Sequence, residues 1–343
     1  MKLGWSFAAL CSVPFVMVLS NSMLIPVLPQ IQQALDTSFF RVSLLLTAFS
    51  IPAGLVIPFS GMASDHWGRK TVLIPALVLF GLGGLLAGIA PLLFAGAFPV
   101  MIAARILQGI GGGGTYQVAM ALAGDLYRGQ RRARAMGILE ASNGLGKVVS
   151  PILGSAAALL AWNAPFYVYP LLAWLSAAGV WLWVSESEAG RRARPFREYV
   201  RELGRIFADR GVALAVAYFM GAAVLFMLFG VLSWYSDVLE RPHGITGFAK
   251  GAVIAVPVLV MAVTSWLTGT YLTERLRRWL KHVAIGGMGL IATALATLYA
   301  VRGPVPLTLV VSLLGFGNGL VLPVLNTLIT SAAATGERGL VTS

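Results

Sequence analysis

Three charged residues stand inside long apolar stretches of the sequence: Arg105, Glu140 and Lys147. A charge at the centre of a bilayer costs about 2.5–3.5 kcal/mol even on a lenient insertion scale. Three of them therefore argue for a water-lined path and for ion or solute chemistry along it. A carboxyl group held away from bulk water can take up and release a proton near neutral pH, which makes Glu140 the candidate proton carrier, with Arg105 assisting the coupling. Two positive charges against one negative favour an anionic or zwitterionic small molecule as the cargo. At about 100° per residue, Arg105, Gln108, Gly112 and Tyr116 share one helical stripe, and Glu140, Asn143, Gly144, Lys147 and Pro151 share another. Lys147, Asn143, Gln108 and Tyr116, with Asn21 from the first apolar run and Asn318 from the last, are the candidate substrate contacts. Gly146, Ser150 and Gly154 recur at four-residue spacing, a pattern suited to close helix–helix approach, and with Pro151 they are candidates for packing and gating. Phe219, Met220, Phe226, Met227 and Asn326 are further candidates for lining the path.

Other chemistries find no footing. Gly109-Ile-Gly111-Gly-Gly-Gly114 satisfies a dinucleotide-binding pattern literally but lies inside an apolar run with no preceding strand. Gly146-Lys147 is followed by Val148, not Ser or Thr, so it is no phosphate loop. His66, His243 and His282 are scattered over three loops and define no metal site. No acid pair or nucleophile–base arrangement stands out, so no catalytic residue is assigned and an enzyme is not expected. The absence of an ATPase motif points to an ion gradient as the energy source, with no cofactor. Cys11 is the sole cysteine, which excludes an intramolecular disulfide.

The elements that must position these residues are written in the composition. Of 343 residues, 58% are hydrophobic and 11% charged, with a mean hydropathy of +0.82; an ordinary soluble domain carries about 25% charged residues. Ten apolar runs are long enough to cross a bilayer as helices: 5–28, 41–62, 71–90, 98–124, 135–160, 165–184, 212–236, 251–272, 283–300 and 307–331. The first lacks a small-residue cleavage site and reads as retained. With the N-terminus inside, 19 of the 25 Lys and Arg residues fall on the cytoplasmic side, a positive-inside signal that also places the C-terminus there. This distribution ties the net charge of +12 to membrane topology and not to nucleic acid. Residues 185–211 form the one long polar segment, with Tyr199, Leu203 and Ile206 on one face of an amphipathic surface helix. Trp234 and Tyr235 read as interfacial anchors.

The two halves repeat. Gly61-Met-Ala-Ser-Asp65-His-Trp-Gly68-Arg69-Lys70 follows the second run, and an offset of 208 superposes it on Gly269, Arg277 and Arg278 after the eighth. Gly109-Ile-Gly111 in the fourth run is matched by Gly315-Phe-Gly317 in the tenth. Paired bundles of this kind are expected of secondary transporters. Physically, Gly61 and Gly68 suit a tight turn between two helices, Asp65 suits a helix N-terminus, and Arg69 can reach Asp125 at the end of the fourth run.

These motifs resemble those of the major facilitator superfamily, in particular its proton-coupled drug and metabolite exporters. Gly61-x-x-x-Asp65-x-x-Gly68-Arg69-Lys70 is similar to the family's loop motif between helices two and three. Arg105-x-x-Gln108-Gly109-x-Gly111 resembles its fourth-helix motif, and Asp125 followed by Arg131, Arg132 and Arg134 resembles the close of that helix. Gly146-x-x-x-Ser150-Pro151-x-x-Gly154-Ser155 resembles the fifth-helix antiporter motif, with serines at 150 and 155 where glycines are usual. The resemblance implies an all-α polytopic fold: a six-helix bundle over 1–184, a cytoplasmic linker over 185–211, and four helices of a second bundle over 212–343. Against the twelve helices usual in that family, it further implies a chain interrupted at Ser343. It also implies proton-coupled export of a small organic molecule by alternating access, with import by symport and an inactive fragment as the alternatives. Gly61, Asp65, Gly68, Arg69, Lys70 and Asp125 would form a conformational latch. The expected setting is the inner membrane of a bacterium, with lipid and substrate as partners, no nucleic acid, and a monomeric state.

Overall fold

The computed structural model describes residues 4–186, 196–272, 275 and 278–332, and among these every regular element is a helix. Eight helical segments are long and apolar enough to cross a membrane. The chain divides into two compact units, Met1–Arg194 and Pro195–Ser343.

The first unit contains α1 (Trp5–Ser22), α2 (Leu28–Ala34), α3 (Phe39–Trp67), α4 (Arg69–Leu93), α5 (Ala97–Gly113), α6 (Tyr116–Leu126), α7 (Gly129–Ala158) and α8 (Pro165–Trp183). A short 3₁₀ turn, Ile25–Val27, joins α1 to α2. Two of the ten apolar runs take a different form from the one expected. The fourth divides at Gly114–Thr115 into α5 and α6, of 17 and 11 residues. Four consecutive glycines from Gly111 to Gly114 hold a helix poorly, and the break falls at their end. The fifth becomes the 30-residue α7, whose glycines, arginines, Glu140, Asn143 and Lys147 leave it outside the eight apolar segments.

The second unit contains α9 (Phe196–Glu240), α10 (Gly247–Leu267), α11 (Leu280–Leu298) and α12 (Pro304–Ala332), with a π-turn at Thr268–Leu272 closing α10. Residues 196–211 of the expected surface helix are continuous with the seventh run as the single helix α9. The side chains of Tyr199, Leu203 and Ile206 lie outside the described residues, as do Glu274, Arg277 and residues 333–343.

Glycine positions reveal the same construction in both units. In the first, Gly109 presses on the Phe49 carbonyl of α3 while Gly111 presses on the backbone of α4 at Phe80 and Ala76. In the second, Gly315 presses on the Pro257 carbonyl of α10 while Gly317 lies on α11 at Gly287. Phe49 and Pro257 are 208 positions apart, the same offset that superposes the loop motif. So α5 sits against α3 and α4 as α12 sits against α10 and α11.

One side of α7 packs on α1 with no room for side chains. A Cβ at Gly146 would lie 2.5 Å from Val18, and one at Gly154 would collide with the Met23 carbonyl. Ser150, between them, is fully buried. Backbone cannot yield as a flexible side chain can, and overpacking costs about 1–3 kcal/mol, occasionally more. Gly154→Val is therefore expected to lower the thermal midpoint of the purified protein by several degrees, measured by size-exclusion survival after heating, while Gly144→Ala, with nothing within 4 Å of its position, holds or slightly raises it.

Candidate functional site

Arg105 is fully buried, and among the described residues it pairs with no carboxylate. Its guanidinium is satisfied by neutral oxygens from three helices. Nε donates to the Leu45 carbonyl of α3 at 2.9 Å, Nη1 to Gln108 Oε1 at 2.6 Å, and Nη2 to Asn21 Oδ1 at 2.6 Å and the Ser20 carbonyl of α1 at 3.3 Å. The cation also lies over the Phe49 ring, 4.8 Å from its centre. Asn21 in turn donates to Ser50 Oγ at 2.7 Å, and the Tyr169 hydroxyl of α8 donates to the same Ser20 carbonyl at 2.8 Å. Four of the five guanidinium donors are committed in this way. Asn21 and Gln108, expected as substrate contacts, are thus partners of Arg105.

Glu140 lies elsewhere, on an exposed face of α7. Its carboxylate accepts a hydrogen bond from the Tyr116 hydroxyl. Tyr116 is the first residue of α6, so the helix break ends the single stripe expected to run from Arg105 to Tyr116. Arg105 and Glu140 form no ion pair among the described residues; each has its own neutral partners. Lys147, two turns further along α7, is half-buried. Among the described residues it makes no hydrogen bond or ion pair.

Asn143 also departs from the stripe assigned to it. It is buried, and its Nδ2 donates to the Pro14 carbonyl of α1 at 3.3 Å, while Ser142 Oγ donates to the Cys11 carbonyl at 2.7 Å. Pro14 stands inside α1, so both accepting carbonyls lie within that helix. Asn143 therefore belongs to the packed side of α7, next to Gly146. Asn318, the expected contact in the second unit, is fully buried, with Nδ2 donating to its own helix at the Leu314 carbonyl, 2.9 Å away. It is flanked by Gly317 and Gly319, which press on α11 and α10, so helix packing encloses it. Phe219 and Phe226 are 76% and 80% exposed, with Met220 and Met227 half-buried and Asn326 exposed.

The loop between α3 and α4 carries the charged cluster. Arg69 pairs with Asp65 at 2.5 Å and with Asp125 of α6 at 3.1 Å, and donates to Ser64 Oγ at 2.8 Å. The turn itself needs only Gly68, at φ +107°, a conformation that side chains resist. Gly61 lies inside α3 with open space around it, which corrects its expected place in the turn: α3 continues to Trp67. Lys70 Nζ donates to the carbonyls of Trp181 and Val184 at 2.7 and 2.8 Å, closing the end of α8.

Glu186 is the group the sequence pattern missed. Its carboxylate accepts from the Lys70 and Thr71 amides at 3.1 and 3.2 Å and from the Thr71 hydroxyl at 3.3 Å. It caps α4 while Lys70 caps α8, a reciprocal arrangement that satisfies the orphan groups of both helix ends. In the second unit, Lys250 is fully buried and pairs with Glu240 at 2.5 Å, beside an Asp237–Arg241 pair at 2.7 Å. Helix α9 runs four residues beyond the expected end of the seventh run, so Glu140 is not the sole helical acid. Tyr235, expected as an interfacial anchor, is buried, with its hydroxyl 2.5 Å from Thr308 of α12; Trp234 is 40% exposed.

This helical architecture, with its buried cation and charged loop, is that of a membrane transporter. The Major Facilitator Superfamily profile matches residues 10–343, and the chain belongs to that family, whose members are transporters and not enzymes. A protein of Bacillus subtilis (strain 168) named bacillibactin exporter is 36% identical over 337 residues, covering 98% of this chain and 84% of its own length. Multidrug resistance protein 2 of the same organism is 24% identical over 274 residues, 79% of this chain and 67% of its own. Among solved structures, a bacterial homolog of the human lysosomal transporter Spinster, inward-facing and unoccupied, superposes with a TM-score of 0.76 at 18% identity, over 98% of this chain and 77% of that one.

Removing the Glu186 cap should weaken the α4–α8 junction. Loss of a good helix cap costs about 0.5–2 kcal/mol, so Glu186→Ala is expected to lower the thermal midpoint, with Glu186→Gln intermediate because its amide oxygen still accepts. An unchanged midpoint for Glu186→Ala would show that the cap adds no stability.

Proposed function

We propose that this chain is a secondary exporter that exchanges protons for a small organic molecule by alternating access. The observation that carries this reading is the setting of Glu140: a carboxylate on an exposed face of a membrane-region helix, held by a hydroxyl and, among the described residues, by no cation. No ion pair among the described residues fixes its charge. Arg105, by contrast, has its donors committed to neutral oxygens and acts as a fixed positive anchor. The 36% identity to a bacillibactin exporter across 98% of the chain supports export, as does the Pro151–Gly154 pattern on α7.

The setting that goes with this reading is a bacterial inner membrane, with both termini cytoplasmic and the chain working as a monomer. On this topology six membrane passes lie before the linker and four after it, with α5 and α6 together making the fourth pass and α7 the fifth. The cluster of Asp65, Arg69, Lys70 and Asp125 then lies on the cytoplasmic side, where it acts as a latch favouring one orientation.

Glu140→Gln tests the coupling. In proteoliposomes with an imposed pH gradient, the variant is expected to lose gradient-driven substrate movement while retaining substrate binding. Coupling at the wild-type rate in Glu140→Gln would remove Glu140 from the mechanism.

A further inference from the structure

The two sides of α7 have opposite characters. Along the packed side, Leu139, Asn143, Gly146, Ser150 and Gly154 are all buried, several of them directly against α1. Along the other side, Gly137 and Gly144 have nothing within 4 Å of where a side chain would begin, and Glu140 is exposed. Lys147 closes this open side, two turns or about 10.5 Å along the axis from Glu140, with Gly144 between them contributing no side chain. Glu140 and Lys147 thus share one open stripe of α7, with Gly144 between them leaving free space beside the helix.

The two ends differ in what they have left to offer. The Glu140 carboxylate already accepts from the Tyr116 hydroxyl. The Lys147 ammonium has three donors and, among the described residues, neither a hydrogen bond nor an ion pair. The other cation in this unit's membrane region, Arg105, is fully buried and has four of its five donors satisfied. Of the two, Lys147 is the one placed to receive a ligand. A half-buried ammonium without a partner is incompletely solvated, and an incoming anion relieves that cost while a cation adds to it.

We propose that the open side of α7 is a substrate site in which Lys147 binds the ionised oxygen of a small organic anion, a carboxylate or phenolate, with the anion's ring or chain lying over Gly144 toward the Tyr116–Glu140 pair. The assignment rests on the exporter reading above and adds the substrate class and the anchoring group. It also gives Tyr116 a role: its hydroxyl engages the Glu140 carboxylate, which among the described residues forms no ion pair with Lys147, so that the ammonium stays available.

Two dyes that share a xanthene core but differ in charge test this directly: fluorescein, an anion at pH 7.5, and rhodamine 6G, a cation. Equilibrium binding is measured by fluorescence anisotropy with the full chain in nanodiscs and no gradient, so the result does not depend on transport. Wild type is expected to bind fluorescein in preference to rhodamine 6G. Lys147→Met is expected to weaken fluorescein binding by about tenfold or more, the scale for losing a hydrogen bond to a charged group. Lys147→Arg should keep most of the affinity, which a purely structural lysine would not require. Thermal midpoints of both variants verify that they are folded, and Lys147→Gln replaces Lys147→Met if the latter is not. Absence of fluorescein binding to wild type, a preference for rhodamine 6G, or unchanged fluorescein affinity in the folded neutral variant each overturns the proposal. Loss of gradient-driven efflux with fluorescein binding and its Lys147 dependence intact would instead count against the exporter reading and leave this site standing.

Discussion

A buried guanidinium that, among the described residues, has no counter-anion is the constraint on which the first unit depends. Placing a charge out of water costs several kcal/mol even after relaxation, and the usual remedy is a carboxylate. Arg105 is instead held by Leu45 and Ser20 carbonyls and by the amide oxygens of Asn21 and Gln108. Those oxygens come from α1, α3 and α5, so the three helices must keep their register for the cation to remain satisfied. Tyr169 extends the same network to α8 through the Ser20 carbonyl. The outcome is a positive centre whose partners do not titrate near neutral pH, leaving proton exchange to another group.

That division of labour continues along α7. Its packed side is locked to α1 by glycines and by Ser142 and Asn143, which bond the Cys11 and Pro14 carbonyls of that helix. A helix so firmly seated on one side can present Glu140 and Lys147 on the other in a fixed relation. At the α3–α4 loop the same economy appears: Arg69 ties α4 to α6 through Asp125, while Lys70 and Glu186 cap each other's helices. Ion pairs near a surface contribute little by themselves; here they are joined to helix ends, where each bond also satisfies a backbone group.

The legible part of this design is the part with a period. Four-residue spacing identified the Gly146–Gly154 side of α7 as a contact surface, and a fixed offset of 208 connected the two units before their shared glycine contacts were visible. Loop chemistry is readable as well, because Arg69 and Asp125 stand just outside the ends of the third and fourth apolar runs. Asn143 was misplaced because a stripe drawn at 100° per residue is broad, and a residue on its margin can turn to a neighbour's carbonyl. Contacts to backbone oxygens, which decide the fate of Arg105 and Asn143, leave no trace in residue type. Glu186 was missed for a related reason: its partners are amides 115 and 116 positions away, and no spacing rule spans that distance. The break at Gly114 and the extension of α9 to Glu240 show that hydropathy finds a run more reliably than its ends.

The central claim is that cargo and proton are handled at opposite ends of one face of α7, Lys147 taking the anion and Glu140 the proton. Its most direct test is the proton count on binding, measured as the pH change when fluorescein is added to the nanodisc-embedded chain in weakly buffered solution near neutral pH. If Glu140 and the cargo are linked, binding by wild type changes the number of bound protons, and Glu140→Gln binds the dye with no such change. An identical proton count in wild type and Glu140→Gln, with equal dye occupancy, would contradict the account.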